Sequence, residues 1–257
     1  LLVPVQDRNG EVLTTVADTT TCPGVCDGTA EVSFTCTSPA CTVAWYDAWG
    51  NDLGLSSGQV TALCGGLYIV TVTNGIGCVS IDTAVVREPA PIVANLSTTP
   101  VTCFGVCDAT ATVGPTGGAA PYSYTWDPQP ASGQATPLAE GFCAGTAQIT
   151  IGDAAGCSVV VPFLILGPDL LTVSADTVPI SCNGLCDGTI VITAAGGTGA
   201  YSYVWSPVPP NGQGSNAATG LCAGEWGCTV TDANGCTMAM SVTLAEPPLL
   251  QADVSIN

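Results

Sequence analysis

Apolar and polar side chains alternate along short stretches of this chain. Ala30, Val32 and Phe34 are separated by Glu31 and Ser33. Tyr68, Val70 and Val72 are separated by Ile69 and Thr71. The pattern returns at Ala111 and Val113, at Ala147, Ile149 and Ile151, at Ile190, Ile192 and Ala194, and at Trp226, Cys228 and Val230. A period of two predicts strands with one buried face. Turn signals separate them: Gly117-Gly118 and Gly196-Gly197, then Gly77, Gly156 and Gly235 just before a cysteine, where a hairpin turn with positive φ suits glycine. No segment sustains a helical period.

The alternating stretches belong to a repeat. Cys22-Pro-Gly-Val-Cys26 returns as Cys103-Phe-Gly-Val-Cys107 and again as Cys182-Asn-Gly-Leu-Cys186, a period of about 80 residues. Asp27, Asp108 and Asp187 follow these pairs, and Trp45, Trp126 and Trp205 stand at one fixed distance beyond the second cysteine. Two more cysteines, separated by a constant gap, close each unit: Cys64/Cys78, Cys143/Cys157 and Cys222/Cys236. Pro89, Pro168 and Pro247 follow the last cysteine, again at one distance. Only the interval after the tryptophan changes length, which confines variation to one loop (47–62, 128–141 and 207–220). Constant spacing elsewhere predicts one fold used three times. Six or seven short strands in a unit this size predict an all-β chain, a tandem array of three small Ig-like antiparallel β-sandwich repeats stapled by disulfides. Its expected divisions are a tail of a preceding repeat (1–10), repeats at 11–91, 92–170 and 171–248, and the start of a following repeat (249–257).

Charge and composition remove whole classes of function. Two Lys+Arg stand against 20 Asp+Glu in 257 residues, a formal net charge of −18. That balance lacks the basic footprint of a nucleic-acid binder and is repelled by anionic membrane surfaces. No apolar run reaches the roughly 18 residues of a membrane span, so no membrane insertion is expected. With 47% hydrophobic residues the chain has material for a core, which argues against disorder. Histidine and lysine are absent. A serine nucleophile then has no usual base, and the commonest metal ligand and Schiff-base chemistry are missing. The expectation is no enzyme, no cofactor and no metal.

Fifteen cysteines point to an oxidising compartment. Twelve are the four per repeat, and four cysteines permit three connectivities, among which the sequence does not choose. Cys36 and Cys41 occur only in the first repeat, across the tip of a hairpin, and are expected to staple it locally. Cys228 aligns with inward strand positions and is expected to be a buried free thiol. Asp27, Asp108 and Asp187, with Asp153, Asp232 and Asn74, are expected in turns rather than as calcium ligands, because no D-x-D-x-D-G loop is present. The tryptophans are expected to anchor cores.

The stretch Gly117 to Trp126, reading Gly-Gly-x-x-Pro-Tyr-Ser-Tyr-x-Trp, resembles the SprB repeat of giant surface adhesins of gliding bacteria. Thr231-Asp232-Ala233-Asn234-Gly235-Cys236, Glu88-Pro89 and Glu246-Pro247 extend the resemblance over essentially the whole chain. The first repeat departs most, carrying Cys36 and Cys41 in place of Gly-Gly and Tyr. The resemblance implies type IX secretion, placement on the bacterial cell surface, and a role in adhesion or long extracellular appendages. Such repeats usually carry only the first and last of the four cysteines. This implies the pairs Cys22–Cys78, Cys103–Cys157 and Cys182–Cys236, with the extra cysteines joined as Cys26–Cys64, Cys107–Cys143 and Cys186–Cys222.

A bridge of that kind closes a loop of roughly 54 residues in the second repeat and contributes about 4 kcal/mol in the chain-entropy model. It also sends pulling force through sulfur, so that only the roughly 25 residues between bridges lengthen, by about 85 Å per repeat. The expected function is a structural and adhesive segment of a long surface protein or filament, a stiff tether for attachment to surfaces or other cells. The alternative is a glycan-binding module that uses the loops after Trp45, Trp126 and Trp205. Expected partners are adjacent repeats of the same chain, a homo-oligomeric fibre, and a surface or glycan target. Thr19, Thr83 and Thr177 stand in Asp-Thr motifs that resemble a bacterial O-glycosylation signal, and Asn95-Leu96-Ser97 fits an N-sequon.

Overall fold

The computed structural model describes residues 13–36 and 40–251. The expected tail at 1–10, most of the expected start at 249–257, and the hairpin tip at 37–39 lie outside the described residues. All named elements are strands. The first repeat holds β1 (Leu13–Ala17), β2 (Gly28–Phe34), β3 (Cys41–Asp47), β4 (Gln59–Leu63), β5 (Gly66–Asn74) and β6 (Val79–Val86). The second holds β7 (Leu96–Thr98), β8 (Ala109–Val113), β9 (Ser123–Asp127), β10 (Leu138–Phe142), β11 (Gly145–Gly152) and β12 (Ser158–Ile165). The third holds β13 (Asp169–Val178), β14 (Gly188–Gly197), β15 (Ser202–Ser206), β16 (Ala217–Leu221), β17 (Gly224–Thr231) and β18 (Thr237–Leu244).

Each repeat folds its six strands into two antiparallel three-stranded sheets. In the first repeat these are β1-β2-β4 and β3-β5-β6, and the other repeats copy the order as β7-β8-β10 with β9-β11-β12, and β13-β14-β16 with β15-β17-β18. The third strand leaves the first sheet, the fourth returns to it, and the fifth and sixth complete the second sheet. This is the crossing pattern of an Ig-like sandwich. The expected fold class is therefore what the chain adopts.

The alternating residues face inward as the period-two pattern requires. Ala111, Ile149, Ile190, Ile192 and Val230 are fully shielded from solvent. Trp45, Trp126 and Trp205 are 0%, 1% and 1% exposed. Each stands on the first strand of the second sheet and fills the space between sheets, so it anchors the core. Its indole N–H cannot be left unpaired there, and it donates to a carbonyl of the variable loop: Ser57, Thr136 and Ser215 at 2.9, 3.0 and 2.8 Å. In the second repeat Phe142 and Phe163 add edge-on rings against Trp126 at 5.7 and 5.9 Å. Three separate buried clusters result, one per repeat.

Candidate functional site: the disulfide-bonded junctions between repeats

The chemistry of this chain gathers where one repeat meets the next, and two small structures build each meeting point. The first is the C-x3-C loop. Its aspartate folds back toward the residue just before the first cysteine: Asp27 accepts from the N–H of Thr21 at 2.9 Å and from its hydroxyl. Asp108 does the same with Thr102, and Asp187 with Ser181. These hydroxyls first, and the N–H groups second, hold all three carboxyls below the usual carboxylate range. The loop is also tied to the end of its own repeat. Gly24 N–H donates to Glu88 at 3.1 Å, and Gly184 N–H donates to Glu246 at 2.9 Å. The Glu-Pro of the exit segment thus holds the loop next to the point where the chain leaves the sandwich.

The second structure is the hairpin between the last two strands of a repeat. Asp153 accepts from the N–H groups of Ala155 and Cys157 with one oxygen, at 3.0 and 2.9 Å, and from Ala119 N–H with the other, at 3.0 Å. The Ala119 bond is the largest influence on its carboxyl, which lies below the usual range. Asp232 repeats the arrangement with Asn234, Cys236 and Thr198. Burial pushes the Asp232 carboxyl up, but the backbone donors together outweigh it and the net direction is down. Asn74 fills the position in the first repeat and accepts from Ile76 and Cys78. Each of these side chains presents the fourth cysteine at a fixed place on the hairpin.

Glycine lets the chain entering a repeat approach this hairpin. Gly117 has φ +75°, and a Cβ there would meet the Pro91 carbonyl oxygen at 2.0 Å; at Gly196 it would meet the Leu170 oxygen at 2.0 Å. Gly118 donates its N–H to Ala90 at 2.8 Å. A Cβ on Gly118 or Gly197 would meet Asp153 or Asp232 at 2.7 or 2.6 Å. Tyr122 and Tyr201 donate to the carbonyls of Gly117 and Gly196. The Gly-Gly…Tyr pattern is thus a seat for the incoming linker. In the first repeat the Cys36–Cys41 bridge spans the corresponding hairpin.

The two structures are bonded to each other across the junction. Cys22 of the first repeat is joined to Cys157 of the second, with Cα atoms 5.6 Å apart and a sequence separation of 135. Cys103 of the second is joined to Cys236 of the third, at 5.8 Å and a separation of 133. This corrects the pairing implied by the family resemblance, which closes Cys22–Cys78, Cys103–Cys157 and Cys182–Cys236 inside single repeats. The reason is positional. The C-x3-C loop lies at the exit end of its repeat, whereas the fourth cysteine lies on a hairpin at the entry end, beside the incoming linker. A sandwich separates the two within one repeat, and only the next repeat brings an entry end against an exit end. A further contact closes on each junction. The Cys157 sulfur is 3.2 Å from the Thr21 carbonyl oxygen, and Asn234 donates its amide to the Thr102 carbonyl at 2.9 Å. An apolar groove lined by Pro23, Val25, Pro91, Ile92 and Val159 flanks the first bridge.

The second cysteine of each loop bonds within its own repeat: Cys26 to Cys64, Cys107 to Cys143 and Cys186 to Cys222. Cys182 is exposed, and Cys228 is a thiol 3% exposed inside the third core. Burial pushes the Cys228 thiol up, which suits a small hydrophobe rather than a nucleophile. Thr19, Thr83 and Thr177 are exposed. Asn95 hydrogen-bonds the Gly114 carbonyl at 2.9 Å. Of the loops following the core tryptophans, the first carries an aromatic at the surface, Trp49, 87% exposed. The sequence holds a constant interval from the last cysteine of one unit to the first of the next, which does not by itself choose between a bridge within a repeat and a bridge across the junction.

The SprB repeat family model matches residues 95–130 and 174–209. The matched segments lie in the second and third repeats, and each contains the Gly-Gly…Tyr-Ser-Tyr-x-Trp stretch. No curated protein matches the chain by sequence. Among solved structures, the chain is similar to a three-Ig segment of titin (12% identity, 92% of this chain and 97% of that chain, TM-score 0.36). It is likewise similar to the three N-terminal domains of the highly immunogenic outer capsid protein of bacteriophage RB49 (12% identity, 92% and 98%, TM-score 0.40). Extracellular domains 3–5 of Drosophila OTK also match (10% identity, 86% and 91%, TM-score 0.31).

Proposed function

We propose that this chain is a force-transmitting segment of an extracellular adhesin, in which sulfur rather than the folded sandwiches sets how far the protein can be stretched. One observation carries the reading: each junction between repeats is crossed twice by covalent bonds, once by the backbone and once by a disulfide. The matches to the SprB repeat support placement at a cell surface for attachment, and six bridges suit an oxidising exterior.

The force path follows from the bonds. Load entering the first repeat reaches Cys22, crosses to Cys157, and runs back along β11 to Cys143. It then crosses to Cys107, runs the short way back to Cys103, and crosses to Cys236 of the third repeat. A repeat inside the array thus contributes roughly 18 residues of extensible chain, about 60 Å at full stretch. The remainder of the sandwich carries no tension once this path is taut. At each junction the disulfide and the backbone linker hold neighbouring repeats at two points, which makes the array stiff in bending as well as in extension.

Single-molecule pulling between handles at Leu13 and Leu244 tests this. With Cys22–Cys157, Cys107–Cys143 and Cys103–Cys236 closed, the shortest covalent route holds roughly 35 residues and extension stops at about 120 Å. Pairing of first with fourth cysteines inside each repeat leaves roughly 67 residues on the route and a limit of about 230 Å. A limit at or above the latter overturns the proposal.

A further inference from the structure

We infer that the exposed end of the third repeat is a docking surface for a further repeat of the same kind, and that Cys182 is the residue through which it is bonded. The occupant is a sandwich that presents its fourth cysteine on an Asp-x-x-Gly-Cys hairpin, as the second and third repeats present Cys157 and Cys236. This rests on the tether reading, because the bond extends the same sulfur path by one more repeat.

The argument is one of continuity with two interfaces the chain already forms. The loop around Cys182 is built as its two counterparts are. Asp187 accepts from the N–H and hydroxyl of Ser181, as Asp27 and Asp108 do from Thr21 and Thr102. Gly184 donates to Glu246 as Gly24 does to Glu88. Asn183 adds a bond to the Pro247 carbonyl at 3.1 Å, which ties the loop to the exit segment. The loop is therefore held in its bonding shape with nothing docked on it.

What differs is occupancy. Cys22 and Cys103 are half-buried against the neighbouring hairpin, whereas Cys182 is exposed and outside any bridge. The contacts in the two existing junctions are sulfur to sulfur, sulfur to carbonyl, and amide to carbonyl. Every acceptor they need has an equivalent in the backbone of Ser181.

The bond forms by thiol–disulfide exchange. The Cys182 thiol and the incoming thiol each lose one proton, and together they transfer two electrons to an external disulfide oxidant such as oxidised glutathione. One protein disulfide forms, the S–S bond of the oxidant breaks, and two glutathione thiols leave.

The chain to Leu250 continued by a second copy of residues 93–170 tests the inference, because that junction keeps the spacing of the first one. After oxidation with glutathione, native iodoacetamide labelling and a non-reducing digest, a peptide linking Cys182 to the copied Cys157 is expected, with Cys182 unlabelled. Changing only the copied Cys157→Ser frees Cys182, whose labelling rises from near zero to near completion. Full labelling of Cys182 in both proteins overturns the inference, as does a bond from Cys182 to any other cysteine. The same digest reports Cys22–Cys157 and Cys103–Cys236. If these are closed while Cys182 is labelled, the docking surface fails and the tether stands; if they are open, the tether itself fails.

Discussion

Asp153 and Asp232 show how much one side chain does in this molecule. Each closes a hairpin turn, positions a bridging cysteine, and reaches across to the segment after Gly118 or Gly197. Both carboxyls, with Asp27, Asp108 and Asp187, lie below their ordinary values. A carboxyl whose pKa is depressed in the folded state stabilises that state above its unfolded pKa, about 3.9 for aspartate, and loses the contribution as pH falls through the lower folded value. The melting temperature of the oxidised chain is therefore expected to stay level from neutral pH down to about 4 and to fall below it, as calorimetry across that range checks. Asp153→Asn is expected to soften the acid decline, since Asn74 already holds the equivalent turn in the first repeat without a charge.

The strands and the Cys36–Cys41 staple were legible in the sequence, and the partners of the first and fourth cysteines of each repeat were not. Period-two alternation at Ala30/Val32 or Ile149/Ile151 reports which face of a strand is dry, and that is a local property. The edge strands were weaker: β7 has 3 residues and β13 has 10, because an edge strand's length is set by how far the incoming linker follows its neighbour. Those disulfide partners were hidden for a different reason. In a periodic sequence, a cysteine of one unit has an equivalent in the next, and spacing alone cannot tell a contact within a copy from a contact between copies. The Gly-Gly motif was visible as a turn, but its close approach to Pro91 and Leu170 belongs to the junction and has no local signature. Gly117→Ala is expected to strike the Pro91 carbonyl and to loosen the junction while leaving the buried cluster around Trp126 in place. Slower closure of Cys22–Cys157 during refolding, with unchanged closure of Cys107–Cys143, checks this by timed thiol trapping.

Together, the bridges convert three small cores into one mechanical object. A repeat of about 79 residues buries a modest share of its surface and is marginal alone. Cross-links between repeats let the folded state of one stabilise the placement of the next. Removing them one at a time should lengthen the pulled chain in steps. Cys103→Ser with Cys236→Ser opens one junction and leaves roughly 60 residues on the shortest route between Leu13 and Leu244, a limit of about 200 Å instead of about 120 Å. Opening the other junction as well, with the bridges inside repeats kept, leaves roughly 121 residues and a limit of about 410 Å. Force spectroscopy on the three proteins reads these steps directly, and a single shared limit contradicts the described connectivity.

The direction of the bonds also sets a timetable. Cys22 finds its partner at a downstream separation of 135 and Cys103 at one of 133, so neither can be sealed until the following sandwich has been made. A chain that emerges from its N-terminus onward completes the bond inside each repeat first and clasps that repeat to its neighbour only afterwards. Growth therefore always carries one unfastened sulfur at its leading edge, and maturation advances along the protein as a closing wave rather than as separate local events.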